Sequence, residues 1–483
     1  MHHRLDLFIV ILGRLSVALI SLASVRVATT YLSPADYGQL SLLIAIQTFC
    51  ALLFINPIGQ YINLHTHEWW SDGSLLLRIK FYPLYLGAVS MIGAVITFVL
   101  SAYFLMSPWY GVSAVFLMTL MASWNATLLP MLNSLGFRAP SILMAVASIA
   151  IGLAASILII WAESPSASGW YFGQGVGMSI GVIFGMIFFR RIAPRTSTVM
   201  PQLTLINRSS VVTYCLPLAV ATSLMWCQLS GYRFLVESYW GLAALGFLAI
   251  GLQVPAQISA LLESLVMQFL YPYFFSRVSG KVDKDVIASS TSDLLNVVFP
   301  LYIICAGITI LGAPYLISLL LGPKFQGQSY FLVIGVFVEL FRMLGNTLGN
   351  AAHAKRETKL LAIPYGFGAV ATISLFCLAG ILQLPINVAA LSMVIGGVFV
   401  FAAMWFGIRK SIRLSIQTRS ICLACCFLLL SVVLGHWMPN PDSLGMTIYM
   451  LLILSALAFI GIFFFLQGNV ALKRLLSVQL RAH

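Results

Sequence analysis

Long apolar runs separated by short polar breaks recur along the whole chain. A bilayer core of roughly 30 Å needs about 20 apolar residues per helix, and runs of that length appear fourteen times. The first six are Leu7 to Val27, Gly38 to Gly59, Phe81 to Phe104, Tyr110 to Leu132, Ser141 to Trp161 and Gly169 to Phe189. Six more are Val211 to Leu235, Leu245 to Ser264, Leu294 to Leu316, Ser329 to Gly349, Leu360 to Leu382 and Val388 to Ile408. Ser420 to Trp437 and Leu444 to Leu466 close the series.

Composition supports the same pattern. Charged residues are 8% of the chain and hydrophobic ones 60%, with a mean hydropathy of +1.00, against about 25% charged in ordinary soluble domains. The expectation is an all-α polytopic membrane protein of about fourteen transmembrane helices. Met1 to Asp6 leads into a full-length span without a small-residue cleavage site, so the first span is expected to stay. The eight cysteines fall almost entirely in apolar segments and read as small hydrophobes; Cys422, Cys425 and Cys426 are read as packing.

Charge fixes an orientation. When Lys and Arg are sorted onto alternate sides of this map, 21 of the 26 fall on one side; only Lys324 lies in a loop on the other. Arg26 and Arg233 sit at matching ends of spans 1 and 7, and Arg14 and Arg342 lie within spans. The positive-inside rule then predicts both termini in the cytoplasm, which requires an even number of crossings. The net charge of +13 is thus a topology signal. It does not point to nucleic acid, which would need a basic face on a folded domain.

Fourteen spans invite a search for a repeat. "YLSPADYGQL" (31–40) and "YWGLAALGFL" (239–248) align without gaps, matching Tyr31 with Tyr239, Ala35 with Ala243, Gly38 with Gly246 and Leu40 with Leu248. Each joins the first span of a six-span set to the second. Because six is even, the two sets enter the membrane in the same sense, giving two parallel six-helix lobes plus two C-terminal helices. The expected boundaries are 1–200 and 201–410 for the lobes and 411–483 for the added helices and tail. The segment "RRIAPRTSTVMPQLTLINRSS" (190–210) is the linker between lobes.

A few polar residues break the apolar runs. An arginine at mid-membrane costs at least about 2.5–3.5 kcal/mol unless it finds water or a partner. Arg14 lies roughly 10 Å into its helix and Arg26 about 18 Å further along. Each has two readings, an interfacial anchor or a group facing a cleft. In span 10, Glu339, Arg342, Asn346 and Asn350 share about 80° of the helix circumference, forming either a self-neutralised pair in helix packing or a stripe along a watery pathway. Asn56, Gln60 and Asn63 share a face around Pro57, and Gln253 and Gln257 flank Pro255; interhelical hydrogen bonding and a cavity lining both fit. Glu263 and Asn125 are open in the same way. Gly173, Gly177, Gly181 and Gly185 form a four-residue glycine groove, expected to pack against another helix of the chain. The loop "NLHTHEWW" (63–70) superficially offers metal ligands, but Trp69 and Trp70 mark it as interfacial. No metal or cofactor is expected.

The opening span with its "YLSPADYGQLSLL" turn, the echo at 239–248, the 6 + 6 + 2 layout and the short loops resemble the polysaccharide transporter family of Wzx-type flippases. That family lies within the multidrug/oligosaccharidyl-lipid/polysaccharide exporter superfamily. The resemblance implies a multi-pass protein of the bacterial inner membrane, not an enzyme, that moves undecaprenyl-pyrophosphate-linked oligosaccharide units, O-antigen or another surface polysaccharide of lipopolysaccharide type, to the periplasmic leaflet by alternating access. The lipid-linked glycan and membrane lipids are the implied partners, with the polysaccharide polymerase machinery a further one. Helix position selects Arg26, Arg233, Arg342, Asn346 and Arg14 as substrate-facing groups and Glu339 and Glu263 as ion-coupling groups. The alternatives are a drug/cation antiporter of the same superfamily, disfavoured because spans 1–6 carry no carboxylate well inside the bilayer, and a membrane polymerase or glycosyltransferase. The latter needs paired acids in an external loop, whereas Asp36, Glu163, Glu237 and Asp442 are scattered singly.

Overall fold

The computed structural model describes residues 2–101, 108–193, 208–278, 284–354, 359–441 and 443–476. Most of the predicted linker (194–207) and Arg195, Lys281, Lys355, Arg356 and Arg481 lie outside the described residues. Among those described, the regular structure is entirely helical. Thirteen helical stretches are long and apolar enough to cross a membrane. One of them, Ser209–Phe269, has 61 residues, about 90 Å of helix by rise and three times the bilayer core. It is interrupted at Gly241, whose φ of 82° and ψ of 171° no helix contains. The stretch therefore has the length for two crossings, which brings the spans among the described residues to fourteen. It is a multi-pass membrane protein with two compact units, Met1–Gly246 and Phe247–His483.

In the first unit, the Ser-Pro-Ala-Asp-Tyr-Gly turn is a helix start. Ser33 caps the helix Pro34–Cys50: the Asp36 amide donates to Ser33 Oγ at 3.2 Å, and the Asp36 carboxylate accepts from the Ser33 amide at 3.1 Å. This is a reciprocal capping box with proline in the first turn. One turn later the chain crosses the segment Leu242–Gly246 with no room for a side chain on either helix at the crossing. A Cβ on Gly38 would run into the Leu242 carbonyl and the Gly246 amide; a Cβ on Gly246 would run into the Pro34 carbonyl and the Gly38 amide. The alignment that pairs Gly38 with Gly246 also pairs Pro34 with Leu242, so the contact is reciprocal, as a two-fold relation requires. The two echoing segments cross each other at their shared glycine.

Span 7 then runs antiparallel along span 2. The Arg233, Trp226 and Thr222 side chains donate to the carbonyls of Ser41 (3.2 Å), Ala45 (3.0 Å) and Leu52 (2.7 Å) in turn. Span 2 carries a π-helical turn at Ala51–Ile55, and the backbone groups such a turn loosens are covered: Leu52 by Thr222 and the Phe54 carbonyl by the Tyr85 hydroxyl at 2.8 Å. Beyond it the helix continues as Asn56–Ser71, which corrects the expectation of a loop at 63–70. Trp69 is buried against the His65 ring at 5.3 Å, and Trp70 packs on Phe137 and Phe189. Packing into the apolar core made by Ile62, Leu132 and Phe189 extends the helix past the last hydrophobic run. The glycine groove of span 6 receives span 5, with Gly173 against Ser156 and Gly177 against Ser148 and Gly152.

In the second unit, spans 8 and 10 lie parallel and close. Pro255 has no amide hydrogen, which releases the carbonyl of Gly251 four residues back. Gly335 packs onto that carbonyl, and Gly251 onto Phe331. Span 13 packs on span 9, where a Cβ on Gly307 would meet Phe427 and Ser431. Asn296 ties the segments before span 13 and after span 14 to span 9: its side-chain amide donates to the Ser415 carbonyl at 2.9 Å, its side-chain oxygen accepts from the Gln417 amide at 2.8 Å, and its backbone carbonyl accepts from the Asn469 side chain at 3.2 Å.

The glycine crossing yields a measurable expectation. Gly38→Ala and Gly246→Ala should each lower stability by about 1–3 kcal/mol, the usual cost of overpacking, read as the unfolding midpoint of the detergent-solubilised protein. The double variant should cost less than the sum, because one displacement relieves both contacts. Gly407→Ala, whose added Cβ meets nothing within 4 Å, is the control. Glycine variants at 38 and 246 that match it would disprove the close crossing.

Candidate functional site

The polar stripe of span 10 meets span 8. Because Gly251 and Gly335 hold the two parallel helices together, Glu263 arrives opposite Arg342 about three turns further along span 8. The Arg342 guanidinium is gripped from two sides: its Nη2 lies 2.7 Å from Glu263 Oε2 and its Nε 2.7 Å from Glu339 Oε2. Asn346 Nδ2 donates to the second Glu263 oxygen at 3.1 Å. The side chains of Arg342, Glu263 and Glu339 retain only 23%, 19% and 12% exposure. Two carboxylates face one guanidinium, so the formal charge of the cluster is −1 when all three are ionised. Tyr302 and Tyr365 lie within electrostatic range of Glu263 and Arg342.

Four of the sequence-selected residues, Glu263, Glu339, Arg342 and Asn346, thus form one hydrogen-bonded group. The two readings of span 10 merge: its ion pair is real, and a second carboxylate from another helix completes it. Spacing within span 10 shows the Glu339–Arg342 pair, but nothing in it announces Glu263, because that contact depends on how two helices pack. The tyrosines carry no sequence signal for the same reason. The Asn350 side chain lies outside the described residues.

The other three selected residues belong to the first unit. Arg233 lies half-buried between spans 7 and 2, with its Nη1 on the Ser41 carbonyl and its guanidinium 5.9 Å from the Tyr232 ring. Its buried Nε has no hydrogen-bond partner, and Tyr37 and Tyr171 lie within electrostatic range. Arg26 is half-buried near the end of span 1, where its carbonyl accepts from the Thr29 and Thr30 hydroxyls. Arg14 is exposed on the same helix. Asn125 is a packing residue on one side, its amide donating to the Met178 carbonyl at 2.9 Å, while its side-chain oxygen is unpartnered. Among the described residues no group of three or more His, Cys, Asp or Glu is placed to hold a metal ion.

One apolar groove of about 340 Å³ lies in the second unit between spans 9, 13 and 14, with Ile304, Ile308, Leu423, Phe427, Leu454 and Leu457 among its walls. Sequence patterning shows each of these helices as apolar but not that they leave a channel.

No family model matches the sequence, and no curated protein matches it. Solved structures do. The lipid II flippase MurJ in an inward closed conformation superposes with a TM-score of 0.65 at 14% identity, covering 96% of this chain and 99% of that one. An inward-facing multidrug resistance MATE family transporter of the MOP superfamily gives 0.57 at 13% identity over 83% and 97% of the two chains. A MATE protein in complex with MaD3S gives 0.53 at 13% identity over 84% and 95%. At such identities the likeness speaks for the fold: this chain has the fold of the MOP-superfamily transporters.

Proposed function

We propose that the chain is a flippase that carries an undecaprenyl-pyrophosphate-linked oligosaccharide, O-antigen or another surface repeat unit, across the bacterial inner membrane with both termini cytoplasmic. The lobes 1–200 and 201–410, followed by helices 411–483, rock between two states in this reading. The observation that carries it is Arg233, a cation inside helix packing whose Nε donor has no protein partner. A guanidinium with an unspent donor suits a bidentate phosphate oxygen pair. Arg26, at the corresponding place before the echoing turn, is its counterpart, and Arg14 a peripheral contributor. An uncharged apolar groove beside spans 13 and 14 suits the polyprenyl tail.

The Glu263–Arg342–Glu339 group supplies coupling. With both carboxylates ionised they occupy Arg342; loss of one negative charge, by protonation or by a bound cation, releases one edge of the guanidinium toward an anionic headgroup, with Asn346 beside it. Ion uptake and substrate binding are thereby linked through one residue. The second reading, a drug/cation antiporter, draws on the MATE likeness and on the cluster's net −1 charge, which favours a cation. The −1 charge and the cationic pair Arg26 and Arg233 lie in different units, and the flippase reading uses both.

Complementation tests this directly. In a strain lacking its own flippase and supplied with the matching sugar pathway, the wild-type chain should restore surface polysaccharide. Arg233→Ala and Arg26→Ala should reduce it at least about tenfold, the loss of one charge-assisted contact. Restoration by both variants at wild-type level would remove the two arginines from the substrate site; no restoration by the wild type, alongside drug resistance conferred on the host, would replace this reading with the antiporter.

The cluster makes a separate stability prediction. Arg342→Ala leaves two carboxylates facing each other and should cost about 3 kcal/mol, the lower end for breaking a buried pair because some exposure remains. Adding Glu263→Gln and Glu339→Gln should recover most of it in denaturant unfolding. A triple variant as unstable as Arg342→Ala would show that the loss is not electrostatic.

A further inference from the structure

The first unit contains a second polar feature that the cations do not use. Below the π-helical turn of span 2, a cavity of about 210 Å³ lies between spans 2 and 4. Its polar wall consists of Gln47, Asn56, Gln60 and Asn63 from span 2 and Ser123 and Thr127 from span 4, with no charged residue among the lining groups. The space is well above the ~10–15 Å³ that admits one water and below the roughly 300–1,000 Å³ of drug-sized pockets.

Two buried atoms of its lining residues lack partners. Asn63 Oδ1 and Ser123 Oγ have no hydrogen bond. Serines in helices ordinarily donate to the carbonyl one turn back, as Ser90, Ser148 and Ser156 do here at 2.7–2.8 Å. Ser123, only 3% exposed, does not. Leaving such atoms unpaired costs about 1–3 kcal/mol each. At the rim, Gln60 is exposed and donates to Asn56 at 3.2 Å. At Gly59 the wall is backbone alone, and an added Cβ would come within 3.0 Å of Thr127 Oγ1. Thr127 is held by the Tyr82 hydroxyl at 2.8 Å.

Amides present a donor and an acceptor side by side, and a serine hydroxyl offers both. That is the complement of adjacent sugar hydroxyls or an acetamido group. It is not the complement of a phosphate, which would draw cations, nor of a lipophilic cation, which would draw carboxylates or aromatic faces. We propose that the cavity between spans 2 and 4 is a subsite for one uncharged sugar ring of the lipid-linked substrate, bound through Asn63 and Ser123 with Gln47, Asn56 and Gln60 at its mouth. This rests on the flippase reading and adds where the glycan is recognised. The size suits one ring, so selectivity there concerns a single residue of the repeat unit.

The test uses the full-length protein in detergent with four probes: bare undecaprenyl pyrophosphate, and the same carrier bearing one hexose, one N-acetylhexosamine or one 6-deoxyhexose. At least one sugar-bearing carrier should bind about tenfold tighter than the bare one. Asn63→Ala and Ser123→Ala should remove that gain, with affinity for the bare carrier as the internal standard. Ala126→Phe fills the cavity from its exposed rim and should do the same, which keeps the test decisive if a polar variant folds poorly. A sugar gain that survives all three variants, or no gain for any sugar, overturns the subsite while leaving the flippase reading intact. Failure of all four carriers to bind the wild type overturns both.

Discussion

The crossing of Gly38 and Gly246 organises the first unit. Two backbone segments approach until each one's carbonyl occupies the volume where the other's side chain would stand, which only paired glycines permit. The capping box at Ser33 and Asp36 sets the angle at which the helix enters that crossing, since it fixes where the first helical turn begins. From there span 7 is aligned along span 2, and three side chains separated by helical turns find carbonyls on one face of it. Arg233 is one of those three, so its position follows from the crossing.

Inside the bilayer, every irregularity of a helix exposes backbone groups that lipid cannot satisfy. The chain meets that constraint with its own side chains or with tight packing. The π-helical turn in span 2 is covered by Thr222 and Tyr85; the carbonyl freed by Pro255 is packed under Gly335; Asn296 joins span 9 to two backbone groups at 415–417 and to the Asn469 side chain. The groups left over are therefore informative. Among the buried side-chain atoms without partners are Arg233 Nε, Asn63 Oδ1 and Ser123 Oγ. They fall in two chemically different places, a cationic one and an uncharged one, and the proposed function uses both.

The charged group of the second unit follows a different rule. Arg342 is not waiting for a partner; it has one carboxylate on each side. Its capacity to act on an anion depends on first changing the charge of Glu263 or Glu339, and the proposed function accordingly gives it the coupling role and Arg233 the docking role. Asn346, on the second oxygen of Glu263, holds that carboxylate in place while its other oxygen engages Arg342.

Hydropathy by itself determined the fold class and the crossings, because a 30 Å core imposes one length on every span and no tertiary contact is needed to meet it. It fell short only where packing decides: the segment 63–70 is helix because Trp69 and Trp70 bury themselves in the core, a fact of neighbours that the local sequence does not carry. The echo between 31–40 and 239–248 was legible as an alignment, yet four matched pairs acquire physical meaning only when the members of one, Gly38 and Gly246, are seen to cross. Spacing likewise revealed Glu339 with Arg342 and the face of Asn56, Gln60 and Asn63, since three- and four-residue steps belong to a single helix. What joined Glu263 to the first group, and Ser123 and Thr127 to the second, was the meeting of separate helices. Periodicity places a side chain around its own helix axis; which other helix lies opposite is settled by glycine approach and side-chain volume, and only the tertiary structure decided it.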